Sequence, residues 1–144
     1  MTTFRSFVFF LILAGTAGVT HAAEDQSPLL PLYEKVAAAL VADDLTAVRA
    51  AVQKLATEAV RLHHAGIASS AQAVARTDDL AGAREVFKTL SVEVVAVAKH
   101  TKGYFILTCP MAQADWVQST RKVANPYLGM DMLTCGKVKE ETKG

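Results

Sequence analysis

Sulfur-bearing side chains are concentrated in the last third of the chain. The two cysteines, Cys109 and Cys135, lie there with Met111, Met130 and Met132. Thiolate and thioether sulfurs are soft ligands that select Cu(I), and by the same softness Ag(I), over Mg, Ca or Mn. We therefore predict a soft-metal site with four ligands, with Met130 as an alternative thioether ligand. The four are Cys109, Met111, Met132 and Cys135.

The same two cysteines have a structural alternative. An even pair of cysteines in an oxidising compartment favours a disulfide. Closing the loop between Cys109 and Cys135 would stabilise the fold by roughly 3–4 kcal/mol. Met111 and Met132 would then fill the core, and the domain would be a protein-interaction module without a metal role. A disulfide consumes both thiolates, so the two interpretations exclude each other at any moment, and the sequence leaves both open.

The histidines are a secondary source of ligands. His63 and His64 are neighbours, so on a helix their side chains point about 100° apart, and solvated positions at a helix end are the simpler interpretation. The lengths of the predicted helix and strand bring Cys109 to the end of the helices that carries His63 and His64, and leave His100 behind. Zinc fits less well than copper, because the sequence has no Cys-x-x-Cys knuckle.

Catalysis and nucleic-acid binding receive no support from the sequence. The Cys-x-x-Cys motif of thiol oxidoreductases is absent, so we predict a protein that is not an enzyme. Nucleic-acid binders normally carry a basic excess on one face. Here Lys and Arg number 15 against 14 Asp and Glu, and the excess disappears when Arg5 is removed with the N-terminal segment. We therefore exclude nucleic acid as a partner.

The first 22 residues predict export. Arg5 supplies a positive charge, residues 7–14 form an unbroken apolar run, and small residues at Ala22 and Ala23 suit cleavage. The run is shorter than the ~20 residues that a spanning helix needs. We predict a signal peptide over residues 1–22, a periplasmic location, and a mature protein without a membrane anchor.

A mostly α fold must position the sulfur-bearing segment. Between residues 28 and 100, apolar residues recur in steps of three and four, which is typical of amphipathic helices. Asp43–Asp44 and residues 77–79 predict helix starts. These features predict an antiparallel helical bundle of three to four helices with a small C-terminal strand and loop segment.

The connections within that bundle are also predicted. Gly66 and Ser69–Ser70 predict a break in the second helix, and a short extra turn is expected around residues 71–75. The simplest arrangement is therefore three long helices joined by short connections.

The C-terminal segment has a different composition. Residues 104–108 are aromatic and β-branched and predict a strand. One or two helical turns are expected around Trp116, and Asn125 to Gly129 predicts a tight turn. Val138 starts a second short strand, and the charged tail from Lys137 is expected to fray.

Several short motifs in this segment resemble one family. They are Cys109-Pro110-Met111-Ala112, Trp116, Asn125-Pro126-Tyr127-x-Gly129 and Met132-Leu133-Thr134-Cys135-Gly136. This set is similar to the DUF3347 family, a helical domain of uncharacterised function. It occurs in exported bacterial proteins and on periplasmic adaptor subunits of heavy-metal efflux systems.

The resemblance implies one domain over residues 28–144, with a helical bundle at 28–100 and the Cys/Met-bearing segment at 101–138. It also implies a metal-handling accessory role, with a periplasmic efflux component as partner.

Overall fold

A computed structural model describes residues 28–144, and in this range the protein is mostly α-helical. Four helices come first, followed by a three-stranded antiparallel sheet. The helices are α1 (Leu29–Val41), α2 (Leu45–Arg61), α3 (Ala65–Ala75) and α4 (Leu80–Ala98). The strands are β1 (Phe105–Cys109), β2 (Ala114–Gln118) and β3 (Lys137–Glu141), and a 3-10 turn, η1 (Gly129–Met132), precedes β3. The predicted mostly α class is confirmed.

Two predictions concern the membrane and the leader. The predicted signal peptide, residues 1–22, lies outside the described residues. Within residues 28–144, none of the helices has both the length and the apolar character that crossing a membrane requires.

Two aspartates begin helices as the sequence predicts. The Asp44 carboxylate accepts a hydrogen bond from Ala47 N–H at 2.9 Å at the start of α2. Asp79 accepts one from Gly82 N–H at 2.7 Å at the start of α4. Each cap satisfies a backbone donor that the helix leaves unpaired and contributes about 1 kcal/mol.

The end of α2 does not lie where the sequence predicts. The chain reverses at His63, which adopts a left-handed backbone with φ 58°. His63 N–H donates to the Val60 carbonyl and His64 N–H to the Ala59 carbonyl, the two bonds of a Schellman motif. The predicted break at Gly66 and Ser69–Ser70 is therefore wrong. Those residues lie inside α3, which is a full helix in place of the short turn predicted at 71–75.

The sheet has the order β2-β1-β3, with both pairs antiparallel. The predicted strand at 104–108 and the predicted strand start near Val138 are confirmed. The helical turns predicted around Trp116 are wrong, because Trp116 pairs with Leu107 across the β1–β2 hairpin. Such pairing with a distant residue overrides the local pattern.

The predicted fraying of the tail from Lys137 is also wrong. The tail forms β3 against the second edge of β1. Beyond the strand, Thr142 is buried and its hydroxyl donates to the Thr101 carbonyl at 2.5 Å.

Four aromatic rings join the helices to the sheet. Tyr33 of α1 stacks on Phe87 of α4 at a centroid distance of 5.0 Å. Phe87 contacts Tyr127 at 5.9 Å, and Tyr127 meets Trp116 edge-on at 6.0 Å. Such aromatic pairs add roughly 0.5–1.5 kcal/mol each beyond burial. Trp116 and Tyr127 therefore pack the C-terminal segment onto the helices.

Candidate functional site

The fold brings the two cysteine sulfurs into contact. Cys109 is the last residue of β1 and is fully buried, whereas Cys135 follows η1 and is partly exposed. Both are free thiols, and their Sγ atoms lie 3.3 Å apart. A disulfide bond is about 2.05 Å long, so the sulfurs are adjacent without being bonded. Residues 26 positions apart in the chain thus form one dithiol.

The surroundings of the two sulfurs differ. Burial raises the pKa of the Cys109 thiol, but hydrogen bonds from the Ala112 amide, the Cys135 thiol, the Asn125 side chain and the Met111 amide outweigh it and leave that pKa lowered. The hydrogen bond with Cys109 raises the pKa of Cys135, and desolvation adds to this. Cys109 is therefore the more readily deprotonated of the two thiols.

The Cys109 sulfur lies in the turn between β1 and β2. Ala112 N–H points at the Cys109 Sγ at 3.4 Å. Gln113, the last residue of this turn, has a left-handed backbone with φ 51° that returns the chain into β2. The β1–β2 hairpin therefore holds Cys109, which pairs with Ala114 of β2.

The Cys135 sulfur lies on a loop that several backbone bonds fix. Cys135 N–H donates to the Met132 carbonyl at 3.0 Å. The Asn125 side chain donates to the Cys135 carbonyl at 2.6 Å, and Asn125 N–H donates to the Leu133 carbonyl at 2.8 Å. Asn125 lies in the turn that the sequence predicts at 125–129, so this turn connects directly to the thiol loop.

The methionines lie at the surface in the turns that carry the thiols. Met111 follows Cys109 by two residues and is 63% exposed. Met132 precedes Cys135 by one turn and is 40% exposed, and Met130 is 60% exposed. The expectation that Met111 and Met132 fill the core when the cysteines form a disulfide is therefore wrong. Exposed thioethers on flexible side chains can reorient toward the thiols without disturbing the core.

The histidines form a separate group at one end of the helices. His63, His64 and His100 line one open pocket of about 450 Å³ together with Glu93. The prediction that His63 and His64 lie at the opposite end of the helices from His100 is wrong. Because α3 is a full helix, it reverses the chain once more, and α4 returns to the end where α2 stops.

The histidines that the structure describes do not join the dithiol. Within residues 28–144, no group of three or more His, Cys, Asp or Glu side chains is arranged to hold a metal ion. The dithiol and the exposed methionines are therefore the sulfur donors available to a soft ion.

Sequence reasoning missed Arg84, which joins the helices to the turn at 125–129. Its guanidinium donates to the Leu40 carbonyl at 2.8 Å and to the Pro126 carbonyl at 3.3 Å, and it pairs with the Asp43 carboxylate. These partners lie 41 to 44 positions away in the chain, so no local spacing could have identified Arg84.

Comparison with known families finds one match. The family described as "Protein of unknown function (DUF3347)" matches residues 29–104, just over half of the 144-residue chain. The matched range contains the four helices and ends before β1, so the dithiol lies beyond it. No curated protein and no solved structure matches the chain.

Proposed function

The chain belongs to the DUF3347 family, and we propose that it is a periplasmic accessory protein that binds Cu(I) or Ag(I). The ligands in this proposal are the thiolates of Cys109 and Cys135, with thioethers from Met111 and Met132. The observation that carries the proposal is the contact of two free thiols at 3.3 Å. The neighbouring amide of Ala112, which points at the Cys109 sulfur, favours the thiolate that a metal requires.

The donor set favours a soft ion of low coordination number. Zinc in structural sites takes four ligands, commonly Cys and His. The described part of the chain offers two thiols and no group of three or more His, Cys, Asp or Glu side chains arranged around an ion. Thioether donors complete a Cu(I) or Ag(I) site but not a zinc site. The exposure of Met111 and Met132 leaves their sulfurs able to approach the dithiol.

The cellular role in the proposal follows from the leader pattern and the family resemblance. Export through the leader at residues 1–22 would place the protein in the periplasm, and a heavy-metal efflux component would be its partner. The four helices, which we infer form an antiparallel bundle, would be the scaffold. The role in this proposal is binding and transfer of an ion, with no catalytic step.

The alternative is a disulfide-stapled interaction module with no metal role, and one observation favours it. The two sulfurs need to approach by only about 1.3 Å to form an S–S bond of about 2.05 Å. Oxidation would remove both thiolates and with them the metal site.

The test combines a thiol count with metal titration. Protein from the periplasm is denatured without reductant and its reactive thiols are counted. Reduced protein is then titrated with Cu(I) against a chromophoric chelator. Two reactive thiols and tight Cu(I) binding support the metal proposal, whereas no reactive thiols and no Cu(I) uptake after reduction support the disulfide module.

Matched variants assign the ligands. Cys109→Ser and Cys135→Ser should each weaken Cu(I) binding by more than about 100-fold, and Met111→Leu and Met132→Leu by about tenfold, where tenfold corresponds to 1.4 kcal/mol. Met130→Leu is the control and should bind as the wild type does. Unchanged affinity in both cysteine variants, with helical circular dichroism retained, contradicts the proposal.

A further inference from the structure

Asn125 is fully buried, and its side-chain and backbone polar atoms are hydrogen-bonded within the protein. Its side-chain oxygen accepts from Tyr127 N–H at 2.8 Å and from Leu128 N–H at 3.2 Å. Its side-chain nitrogen donates to the Cys135 carbonyl at 2.6 Å. One amide therefore shapes the turn at 125–129 with its oxygen and holds the loop of Cys135 with its nitrogen.

The two cysteines are fixed to different degrees. Cys109 is the last residue of the central strand of the sheet and pairs with Ala114 of β2. Cys135 lies between η1 and β3, on a segment with no strand partner of its own. The separation of the sulfurs therefore depends on how the Cys135 loop is held, and Asn125 provides the side-chain bond that holds it.

We propose that Asn125 is the positioning residue of the dithiol: its side-chain nitrogen, bonded to the Cys135 carbonyl, keeps the Cys135 sulfur against the Cys109 sulfur. The consequence for Cu(I) affinity rests on the proposed function. The consequence for the pairing of the thiols does not, because it is measured without metal.

Substitution of Asn125 can remove the hydrogen bonds donated by its side-chain nitrogen and keep an acceptor for those that its side-chain oxygen accepts. Asn125→Asp keeps the oxygen that accepts from Tyr127 and Leu128, and it removes the nitrogen that donates to the Cys135 carbonyl and to the Cys109 thiol. Asn125→Ser keeps a shorter acceptor suited to the turn and cannot reach the Cys135 carbonyl. Leu128→Ala is the control, because it changes packing in the same turn and leaves the Asn125 amide intact.

The readout is the thiol–disulfide equilibrium in which the Cys109–Cys135 dithiol reacts with oxidised glutathione to give the protein disulfide and two molecules of reduced glutathione. Its equilibrium constant is the effective concentration of one cysteine thiol at the other. Loss of the hydrogen bonds that the Asn125 nitrogen donates predicts a decrease of about tenfold or more in both Asn125 variants, with helical circular dichroism unchanged. Leu128→Ala should keep the wild-type value. A folded Asn125 variant with the wild-type effective concentration overturns the inference.

Two further measurements keep the inference testable. In the unmodified protein, NMR should show the Asn125 side-chain protons protected from exchange, and rapid exchange of both protons overturns the inference even if no variant folds. Cu(I) titration of the wild type separates the two proposals. If the wild type binds no Cu(I) while the variants lose effective concentration, the metal function fails and the positioning role stands.

Discussion

Gly136 lies against the indole ring of Trp116 so closely that no side chain fits between them. A Cβ atom at Gly136 would lie 2.7 Å from Trp116 Cη2 and 2.9 Å from the Thr108 carbonyl oxygen. The φ of Gly136 is 138°, which residues with a side chain rarely adopt. The chain therefore passes directly over the ring after Cys135, and this close passage brings the Cys135 sulfur to the end of β1.

Gly136→Ala should destabilise the protein and separate the thiols. The added Cβ collides with buried atoms and strains the backbone, so we expect a loss of roughly 3 kcal/mol in the free energy of unfolding, measured by urea denaturation. The effective concentration of the thiol pair, measured with glutathione, should fall in the same variant.

Gly103→Ala is the matched control for Gly136→Ala. Gly103 also has a positive φ, 87°, but a Cβ there would meet nothing within 4 Å. We expect only the backbone cost of about 1 kcal/mol and an unchanged thiol pair. Equal losses in the two alanine variants would show that the Trp116 contact is unimportant.

Replacing Arg84 by methionine should loosen the joint between the helices and the turn at 125–129. The substitution leaves the Asp43 carboxylate and the Leu40 and Pro126 carbonyls without their guanidinium partner. We expect a loss of about 2 kcal/mol, because hydrogen bonds to charged groups contribute roughly 1.5–3 kcal/mol. Chemical denaturation of Arg84→Met measures it.

Lys88→Met controls for loss of a positive charge on α4. Lys88 pairs with Glu85 one turn away on the same helix, and its partner is largely exposed. Such i,i+3 pairs contribute roughly 0.2–0.5 kcal/mol, so this variant should stay close to the wild type. If Arg84→Met costs no more than Lys88→Met, Arg84 does not join the elements as described.

Oxidation of the dithiol should stabilise the fold. A Cys109–Cys135 bond closes a loop across the β1–β2 hairpin and the turn at 125–129, and the chain-entropy model gives roughly 3–4 kcal/mol. Urea denaturation with and without reductant should show this difference in the wild type. Cys135→Ser should show none, and a wild type insensitive to reductant would indicate that no bond forms.

The free energy of unfolding should decrease at acid pH, partly because the Asp115 carboxylate becomes protonated. Burial raises the pKa of this carboxyl, but hydrogen bonds from Lys139 and Thr108 outweigh it, so the folded-state pKa is lower than in the unfolded chain. The stabilisation is fully present above the unfolded value of about 3.9 and is lost as pH falls through the folded pKa.

Asp115→Asn checks the acid dependence. The wild type should lose stability as the pH falls below about 3.9 and through the folded-state pKa, and the variant should not show this loss. The effect is expected to be small, because exposed ion pairs contribute roughly 0–1 kcal/mol.

The sequence allows prediction of the features that depend on a few neighbouring residues. Helical periodicity and the caps at Asp44 and Asp79 are local, and they are confirmed. The left-handed turn at His63 was not predicted, because glycine is the usual residue in such a turn. The helix break was instead predicted at Gly66, which lies inside α3. That error also removed one reversal of the chain and misplaced His100.

The features that were missed depend on distant partners. The segment around Trp116 becomes a strand because β1 lies beside it, and the charged tail becomes β3 because the second edge of β1 is open to it. At the candidate site, cysteine chemistry could be read from residue types. The bond from Asn125 to Cys135 and the contacts of Arg84 exist only after the chain has folded.

The order of strands in the sheet also bears on self-association. β3 forms one outer edge, and an outer strand offers unpaired backbone groups on which another chain can add a strand. Four of the five residues of β3 are charged: Lys137, Lys139, Glu140 and Glu141. Charges on an edge strand oppose such addition. The charged residues of β3 therefore disfavour the addition of another chain at this edge of the sheet.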